Sequence, residues 1–216
     1  MTQIIRIDPH NFSFQTIVPA LEILRSGGVV AYPTETFYGL GVHALNEEAV
    51  KKIYAIKKRD FYQPLLILIP HRGVLPLYVR DVPKGALMLI ERFWPGPLTL
   101  IFFASSHLPS MLLGEADKIA IRVSSHPIAQ ALTEWLNAPI TSTSANISGA
   151  QSPCTAEEVS SQLENKIDLL LDGGRTQGEK PSTIIDVTVS PPRLIRDGAI
   201  PFAANNKDEI VWKIIK

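Results

Sequence analysis

The amino-acid sequence predicts an α/β layer fold in which helices cover a mixed β-sheet. Segments with helical periodicity alternate with short apolar segments along the 216 residues. Several apolar segments, such as Leu65–Ile69, are hydrophobic at every position, as strands are when both faces of their sheet are covered. Hydrophobic residues make up 45% of the sequence and charged residues 19%, which allows a sizeable core.

Five segments are predicted to be helices from their apolar period of 3.6 residues and from their end signals. Gly27 and Gly28 stop the first helix, and Asn46 can cap the second. Thr155, followed three residues later by Glu158, forms a capping-box pattern before the last helix. The predicted helices cover Thr16–Ser26, Glu47–Lys58, Pro83–Phe93, Pro127–Leu136 and Thr155–Leu163.

Eight short apolar segments are predicted to be strands. They cover Val29–Tyr32, Leu65–Ile69, Leu98–Phe103, Ile119–Val123, Ala138–Ile140, Leu169–Leu171, Thr183–Val187 and Leu194–Ile195. No internal repeat, low-complexity tract or linker interrupts this pattern. Residues 1–216 are therefore predicted to form one domain.

Composition restricts the classes of function. The net charge is zero and the sequence pI is about 7.0, so the whole molecule has no long-range attraction to nucleic acid, although a local basic patch is allowed. The single cysteine, Cys154, excludes an intrachain disulfide and a cysteine-based zinc site. The sequence shows no signal-peptide core and no apolar run of membrane-spanning length. These features predict a cytoplasmic protein without a membrane partner.

The segment Thr141–Gly149 is the most informative polar feature. It follows a predicted buried strand and carries five hydroxyls, one amide and a terminal glycine. Buried hydroxyls and amides need partners, which a phosphate or amino-acid ligand could supply, as could turns that bind their own backbone. Period-two alternation turns Thr143 and Ala145 away from a shared face. That face carries Ser142, Ser144 and Asn146.

Two other segments place polar groups at the end of a predicted element. Tyr32–Gly41 follows a predicted strand, where open α/β sheets bind ligands, although a plain strand–turn is the alternative. Lys57, Lys58 and Arg59 close the second predicted helix. They could bind phosphate, or they could form a solvated helix end that complements the dipole.

Arg122 lies inside the apolar strand pattern Ile119–Val123. Alternation places Arg122 and Ala120 on one face, and Ile119 and Ile121 on the other. An arginine that projects from a core strand needs an anion, which can be an acidic side chain or a ligand carboxylate. The pattern alone leaves both partners open.

Several catalytic classes lack their motifs. Gly173–Lys180 superficially resembles a phosphate loop, but Glu179 separates the last glycine from the lysine, and the Walker pattern needs those two adjacent. The sequence contains no His-Glu-x-x-His, no Gly-x-Ser-x-Gly and no Gly-x-Gly-x-x-Gly that opens a helix. We expect His126, which precedes a predicted helix, to stabilise that helix start or face solvent rather than act as a base.

Seven motifs together resemble those of the YrdC/Sua5 family, the threonylcarbamoyl-AMP synthases. They run in order over about residues 14–200, and the ordered set is far more specific than any one motif. The motifs are Tyr32–Thr36 with Tyr38–Gly41, Lys57-x-Arg59, Trp94–Thr99, Ile121–Val123, Ser142–Gly149, Pro181–Ile184 and Arg196-x-Gly198.

The resemblance implies a single twisted, open α/β domain of the short form of the family, with a concave basic cavity. It implies that threonylcarbamoyl-AMP and pyrophosphate form from L-threonine, bicarbonate and ATP. Mg²⁺ would bind through the ATP phosphates, with no metal held by the protein. The product would supply the t6A modification of tRNA adenosine 37, which other proteins complete. Direct contact with tRNA is left open.

The resemblance and the residue chemistry together assign roles to individual side chains. Lys57 and Arg59 are the predicted catalytic pair and bind the triphosphate. The other predicted ATP contacts are Lys118, Ser144, Asn146, Ser152 and Arg196. The predicted threonine contacts are Thr34, Ser142, Ser182 and Arg122, whose guanidinium would pair with the threonine carboxylate.

Two alternative functions remain open. One is a double-stranded RNA or tRNA-binding protein of the same fold, against which the neutral pI and the lack of an aromatic–basic stripe count. The other is an enzyme that forms a carbamoyl-adenylate, as the related domain of the much larger hydrogenase maturation proteins does. Three positions depart from the family pattern: Asp60 stands where many members have proline, Gln63-Pro64-Leu65 where members often have Asn-Pro-Leu or Lys-Gly-Leu, and Leu68 where the long form often has histidine.

Overall fold

The computed structural model describes residues 1–60, 63–113, 117–204 and 210–211. All five predicted helices are present, with ends within two residues of the predicted bounds. They are α1 (Phe14–Arg25), α2 (Glu47–Lys57), α3 (Lys84–Phe93), α4 (Pro127–Leu136) and α5 (Ala156–Leu163). Short 3-10 helices cover Arg72–Leu77 and Ser110–Leu112. Within the described residues, no helix has the length and apolar character needed to cross a membrane.

Among the described residues, the eight predicted strands are present together with five further ones. In chain order the strands are β1 (Gln3–Arg6), β2 (Val30–Pro33), β3 (Tyr38–Gly41), β4 (Leu66–Leu68), β5 (Leu98–Phe103), β6 (Lys118–Arg122), β7 (Ile140–Thr141), β8 (Thr143–Ser144), β9 (Leu169–Asp172), β10 (Thr183–Asp186), β11 (Arg193–Arg196), β12 (Ala203–Ala204) and β13 (Ile210–Val211). The sequence pattern did not reveal β1, β3, β8, β12 and β13.

Eleven of the described strands form two mixed sheets instead of one, and β12 pairs with β13 in a separate two-stranded antiparallel sheet. The five-stranded sheet has the order β1-β9-β2-β3-β8, and the six-stranded sheet has the order β11-β10-β5-β6-β4-β7. Each sheet combines parallel pairs, such as β2 with β9 and β4 with β6, with antiparallel pairs, such as β2 with β3 and β5 with β6. The predicted α/β class with mixed strand pairing is confirmed.

Both faces of the five-stranded sheet are covered, as the continuously apolar strands predicted. Val30 and Leu169 lie in a core cluster with residues of α1 and α4. Their neighbours Ala31 and Leu170 lie in the other, larger cluster, which includes residues of α2, α3 and α5. Alternate residues of one strand therefore enter different cores, as the period of two requires.

Short polar groups fix the helix ends. The Asn46 side chain accepts a hydrogen bond from the Ala49 amide at 3.1 Å, as predicted for its cap. Thr155 accepts from the Glu158 amide at 3.3 Å, but the Glu158 carboxylate accepts from the Cys154 amide, one residue earlier than a capping box requires. His126 caps α4 through Nδ1, consistent with the helix-start role expected for it.

The segment that follows α4 crosses from one sheet to the other. Its strand β7 pairs with β4 of the six-stranded sheet, and β8 pairs with β3 of the five-stranded sheet. Ser142 lies at the crossing, where its amide donates to the Leu66 carbonyl at 2.8 Å. The hydroxyl-rich segment is therefore held where the two sheets meet.

Candidate functional site

A cavity of about 400 Å³ opens where the two sheets meet. Residues at strand ends line it: Thr34 follows β2, Arg122 closes β6, and Ser182 precedes β10. The charged side chains among its described lining residues are Arg59, Arg122 and Arg196. Because no carboxylate occurs in that described lining, the cavity is suited to an anionic ligand.

Arg122 is the least satisfied of the three arginines. It is 3% exposed and shares its face of β6 with Ala120, while Ile119 and Ile121 enter the core, as the alternation predicted. Its Nε has no hydrogen-bond partner among the described residues, and within them its guanidinium donates no hydrogen bond. The nearest carboxylate oxygen, Glu35 Oε1, lies 3.7 Å from Nη1. The buried N–H groups of Arg122 are therefore available to donate hydrogen bonds to a ligand carboxylate.

Arg59 and Arg196 retain partners but also face the cavity. Arg59 donates from Nη2 to the Pro64 carbonyl at 3.0 Å, while its buried Nε has no partner among the described residues. Arg196 donates to the Ser182 carbonyl from Nε at 3.0 Å and from Nη2 at 2.8 Å. Burial lowers the pKa of both guanidinium groups, and the charge of Arg122 lowers that of Arg196 further. Arg122 and Arg196 thus repel each other, which an anionic ligand would relieve.

Lys57 does not line the cavity, contrary to the predicted contact with the triphosphate. It is 2% exposed, and its ammonium donates to the Ser144 carbonyl at 2.6 Å, the Asn146 carbonyl at 2.9 Å and Asn146 Oδ1 at 2.8 Å. Burial, and secondarily the charge of Arg59, lower the pKa of Lys57 to about 8. All three ammonium hydrogens are used to hold the loop that carries Ser144.

Asn146 is likewise committed to the loop and does not line the cavity. Its Oδ1 accepts from Lys57 and from Ser144 Oγ, the latter at 2.7 Å, and its Nδ2 donates to the Ala150 carbonyl at 2.5 Å. Thr143 lines the cavity instead. The predicted alternation is therefore wrong here, because the segment changes sheets at Ser142 and is not one continuous strand.

Lys118 also lies outside the cavity lining. Its ammonium pairs with the Asp186 carboxylate at 2.9 Å, at the far end of the cavity face of β6. The Lys118 ammonium thus has a protein carboxylate as its partner, and the predicted ATP contact stays a prediction. Of the other predicted ATP contacts, the cavity brings together Arg59, Ser144, Ser152 and Arg196.

The four predicted threonine contacts all line the cavity. Alongside Arg122, Ser182 Oγ lies 2.8 Å from Thr99 Oγ1 and 3.1 Å from Arg196 Nη2. Thr34 Oγ1 donates to the Phe37 carbonyl at 2.7 Å, and Ser142 lies at the crossing between the sheets. The structure therefore places hydroxyl groups around the Arg122 guanidinium, which donates no hydrogen bond within the described residues.

The sequence patterns assigned no role to Thr99 and Glu35, and for Thr36 they indicated only a ligand contact within the Tyr32–Gly41 segment. Thr36 and Thr99 line the cavity, and Glu35 lies beside Arg122. Thr36 and Glu35 belong to the Tyr32–Gly41 segment, and Thr99 ends the Trp94–Thr99 motif. The one available signal was a carboxylate, Glu35, within a buried and otherwise uncharged turn.

Comparison with known proteins identifies related chains. The Sua5/YciO/YrdC family model, described as "Telomere recombination", matches residues 22–198. The threonylcarbamoyl-AMP synthase of Pyrococcus abyssi (strain GE5 / Orsay) is 44% identical over 84% of this chain and 54% of that protein. The crystal structure of P. abyssi Sua5 complexed with L-threonine has a TM-score of 0.88 and 40% identity, over 94% of this chain and 58% of that one.

E. coli YciO is similar over most of both chains. Its crystal structure has a TM-score of 0.85 and 35% identity, and the match covers 92% of this chain and 97% of that one. In contrast, this chain spans about half the length of the curated P. abyssi relative. The family model nevertheless covers most of the 216 residues, and the chain belongs to the Sua5/YciO/YrdC family.

Proposed function

We propose that this chain is an L-threonylcarbamoyladenylate synthase, which forms threonylcarbamoyl-AMP and pyrophosphate from L-threonine, bicarbonate and ATP. The observation that carries the proposal is Arg122, a buried guanidinium with unspent donors in a hydroxyl-lined cavity. The proposal is supported by the name of the P. abyssi synthase and by the threonine complex of P. abyssi Sua5.

The amino acid would bind through its carboxylate. Arg122 offers a planar fork that matches a carboxylate bidentately, and its Nε has no competing acceptor among the described residues. Thr34, Ser142 and Ser182 would complete the pocket with hydroxyls able to contact the amino acid's own polar groups. This assignment keeps the predicted threonine set unchanged.

ATP would bind through Arg59, Arg196, Ser144 and Ser152, all of which line the cavity. The arginines would neutralise phosphate charge, and the hydroxyls would donate to phosphate oxygens. Lys57 would contribute indirectly, because its ammonium holds Ser144 in place and adds positive potential behind it. Together with Asn146 it would act as a positioning residue instead of a direct ATP contact.

Mg²⁺ would enter as part of the substrate, MgATP. Within the described residues, no group of three or more His, Cys, Asp or Glu side chains could hold a metal ion. The hydroxyl and guanidinium groups of the cavity suit phosphate oxygens better than a bare cation. The protein's part in this proposal is therefore to bind the phosphates.

The proposed reaction needs alignment and charge neutralisation. The threonine amine adds to CO₂ from bicarbonate, loses a proton and becomes a carbamate. A carbamate oxygen then forms a bond to the α-phosphorus as the bond from that phosphorus to pyrophosphate breaks. Both reactants are anionic, so the arginines would lower their repulsion and fix their approach. This scheme requires no covalent protein nucleophile.

Pyrophosphate release tests the proposal. The protein is incubated with MgATP and bicarbonate, and each of the twenty amino acids is added in turn. We expect stimulation by L-threonine alone, lost in Arg122→Met and retained in the control Arg80→Met, which removes an exposed cation. Absence of stimulation by every amino acid would contradict the proposed reaction, and salt-sensitive RNA binding without ATP turnover would favour an RNA-binding protein.

The wider setting follows from the proposed product. Threonylcarbamoyl-AMP is a reactive mixed anhydride, so a second protein would transfer its acyl group to tRNA adenosine 37 to complete t6A. A cytoplasmic location and direct contact with tRNA stay predictions. Gel-shift titration with tRNA and fractionation of the host cell would test them.

A further inference from the structure

Glu35 lies beside Arg122 and is not among the described residues that line the cavity, although its neighbours Thr34 and Thr36 are. Its side chain is 10% exposed, and its Oε1 lies 3.7 Å from Arg122 Nη1. Because Arg122 lines the cavity and Glu35 does not, Glu35 would act on a ligand in the cavity through the Arg122 guanidinium.

The opposite oxygen of Glu35 is fixed to the start of α4. Ser124 Oγ donates a hydrogen bond to Glu35 Oε2, and the His126 amide donates to Ser124 Oγ at 3.2 Å. The positive end of the α4 dipole favours an anion at this place. Burial lowers the pKa of His126 to about 4, so its imidazole is neutral at pH 7 and adds no second cation.

Glu35 places a negative charge near Arg122 without accepting a hydrogen bond from the Arg122 guanidinium. Glu35 Oε1 and Arg122 Nε are both buried and have no hydrogen-bond partner among the described residues. A carboxylate in direct bidentate contact would have occupied the fork that a ligand needs. A charge held slightly apart offsets part of the burial penalty of Arg122 and leaves the fork free.

We propose that Glu35, fixed by Ser124, is a positioning residue that holds Arg122 in the cavity with its donors available for the ligand carboxylate. This inference rests on the proposed function, because it concerns the same amino-acid site. Without the Glu35 charge, the buried guanidinium would relax toward water in the cavity. Threonine binding would then require the guanidinium to return to its position, and the affinity for threonine would fall.

Calorimetric titration with L-threonine, L-threoninol and ATP measures this effect. We expect Glu35→Gln to weaken L-threonine binding about tenfold and to change ATP binding by less than about twofold. L-threoninol lacks the carboxylate, so the substitution should not change its affinity. Ser124→Ala, which keeps the charge but frees Oε2, should weaken L-threonine binding about threefold. Glu48→Gln, an exposed charge removal on α2, is the matched control.

Unchanged or tighter L-threonine binding in Glu35→Gln would overturn the inference, and so would equal losses for threonine, threoninol and ATP, which indicate general damage. If Glu35→Gln fails to fold, the Ser124→Ala titration decides, and wild-type affinity for threonine would overturn the inference. If wild-type protein binds no threonine, the proposed function fails separately.

A stability cycle tests the Glu35–Arg122 coupling without any ligand. Glu35→Gln should lower the melting temperature by about 5 °C or more in the wild-type background, because it leaves a buried cation uncompensated. In the Arg122→Met background the same change should lower it by less than about 2 °C. Equal effects in both backgrounds would show that Glu35 acts independently of Arg122, and would overturn the inference.

Discussion

Lys57 offers a test of the site that does not depend on any ligand. Its buried ammonium donates three hydrogen bonds to the loop at Ser144 and Asn146. The substitution Lys57→Met keeps most of the apolar stem and removes the titrating group. We predict that the folding stability of wild-type protein rises with pH relative to that of Lys57→Met.

The magnitude follows from the lowered pKa of Lys57. The pKa is about 8 in the folded protein, below the ordinary 10.5. Between these values the unfolded chain binds the proton and the folded protein does not, so stability rises with pH, and this contribution is lost as the pH falls through 8. At about 1.4 kcal/mol per pH unit, wild-type protein should gain about 3 kcal/mol over Lys57→Met between about pH 7 and pH 10.

Urea denaturation at several pH values measures both free energies of unfolding. Taking the difference between the two proteins cancels the titration of all other groups. Lys51→Met, an exposed lysine on the same helix, is the control and should show no comparable trend. A wild-type minus Lys57→Met difference that stays constant from pH 7 to pH 10 would refute the burial of this ammonium beneath the loop.

Three further substitutions test the roles of Arg122, Lys118 and Asn46. Arg122→Met should weaken L-threonine binding about 30-fold or more and leave ATP binding nearly unchanged, because truncating one partner of a buried charge pair costs about 2–5 kcal/mol. Calorimetric titration with each ligand measures both affinities, and a fall in both together would contradict this role of Arg122. Lys118→Met should change the KM for ATP by less than about twofold, since the Lys118 ammonium pairs with Asp186; a large increase would return Lys118 to the ATP site. Asn46→Ala should lower the free energy of unfolding by about 1 kcal/mol in urea titrations, because the Ala49 amide loses its cap; an unchanged value would contradict that role.

The helices could be predicted because their signals are local. Asn46 and Thr155 each satisfy an amide three residues away, which the sequence spacing reveals. Gly27, with a φ of 77°, ends α1, and its amide and that of Gly28 bond back to Leu24 and Ile23. Each of these contacts involves residues within five positions of one another, so no knowledge of the fold was needed.

Strand β3 could not be predicted from the sequence, because its glycines are required by close contacts with residues that are distant in the chain. A Cβ at Gly41 would lie 2.7 Å from the Thr141 carbonyl oxygen and 2.8 Å from a Tyr32 ring carbon. Glycine is depleted in strands and read locally as a turn, although here it allows close packing. The division into two sheets could not be predicted either. It depends on the pairing of β7 and β8 with strands that lie about 75 and 105 residues away in the chain.

The candidate site could be predicted only in part. Alternation in β6 correctly placed Arg122 opposite the core-facing isoleucines. The family motif grouped Lys57 with Arg59, but Lys58 between them adopts a left-handed conformation with a φ of 52° and ends α2. Lys57 therefore stays beneath the loop while Arg59 reaches the cavity, a difference set by this turn and by contacts with Asn146 far along the chain.

A crystal structure of the protein with bound L-threonine would show directly whether Arg122 binds the amino-acid carboxylate. We predict that the threonine carboxylate lies within about 3.2 Å of two Arg122 nitrogens, including Nε, with Glu35 still beside the guanidinium. A threonine whose carboxylate lies away from Arg122, or Arg122 turned to form a direct bidentate pair with Glu35, would contradict it.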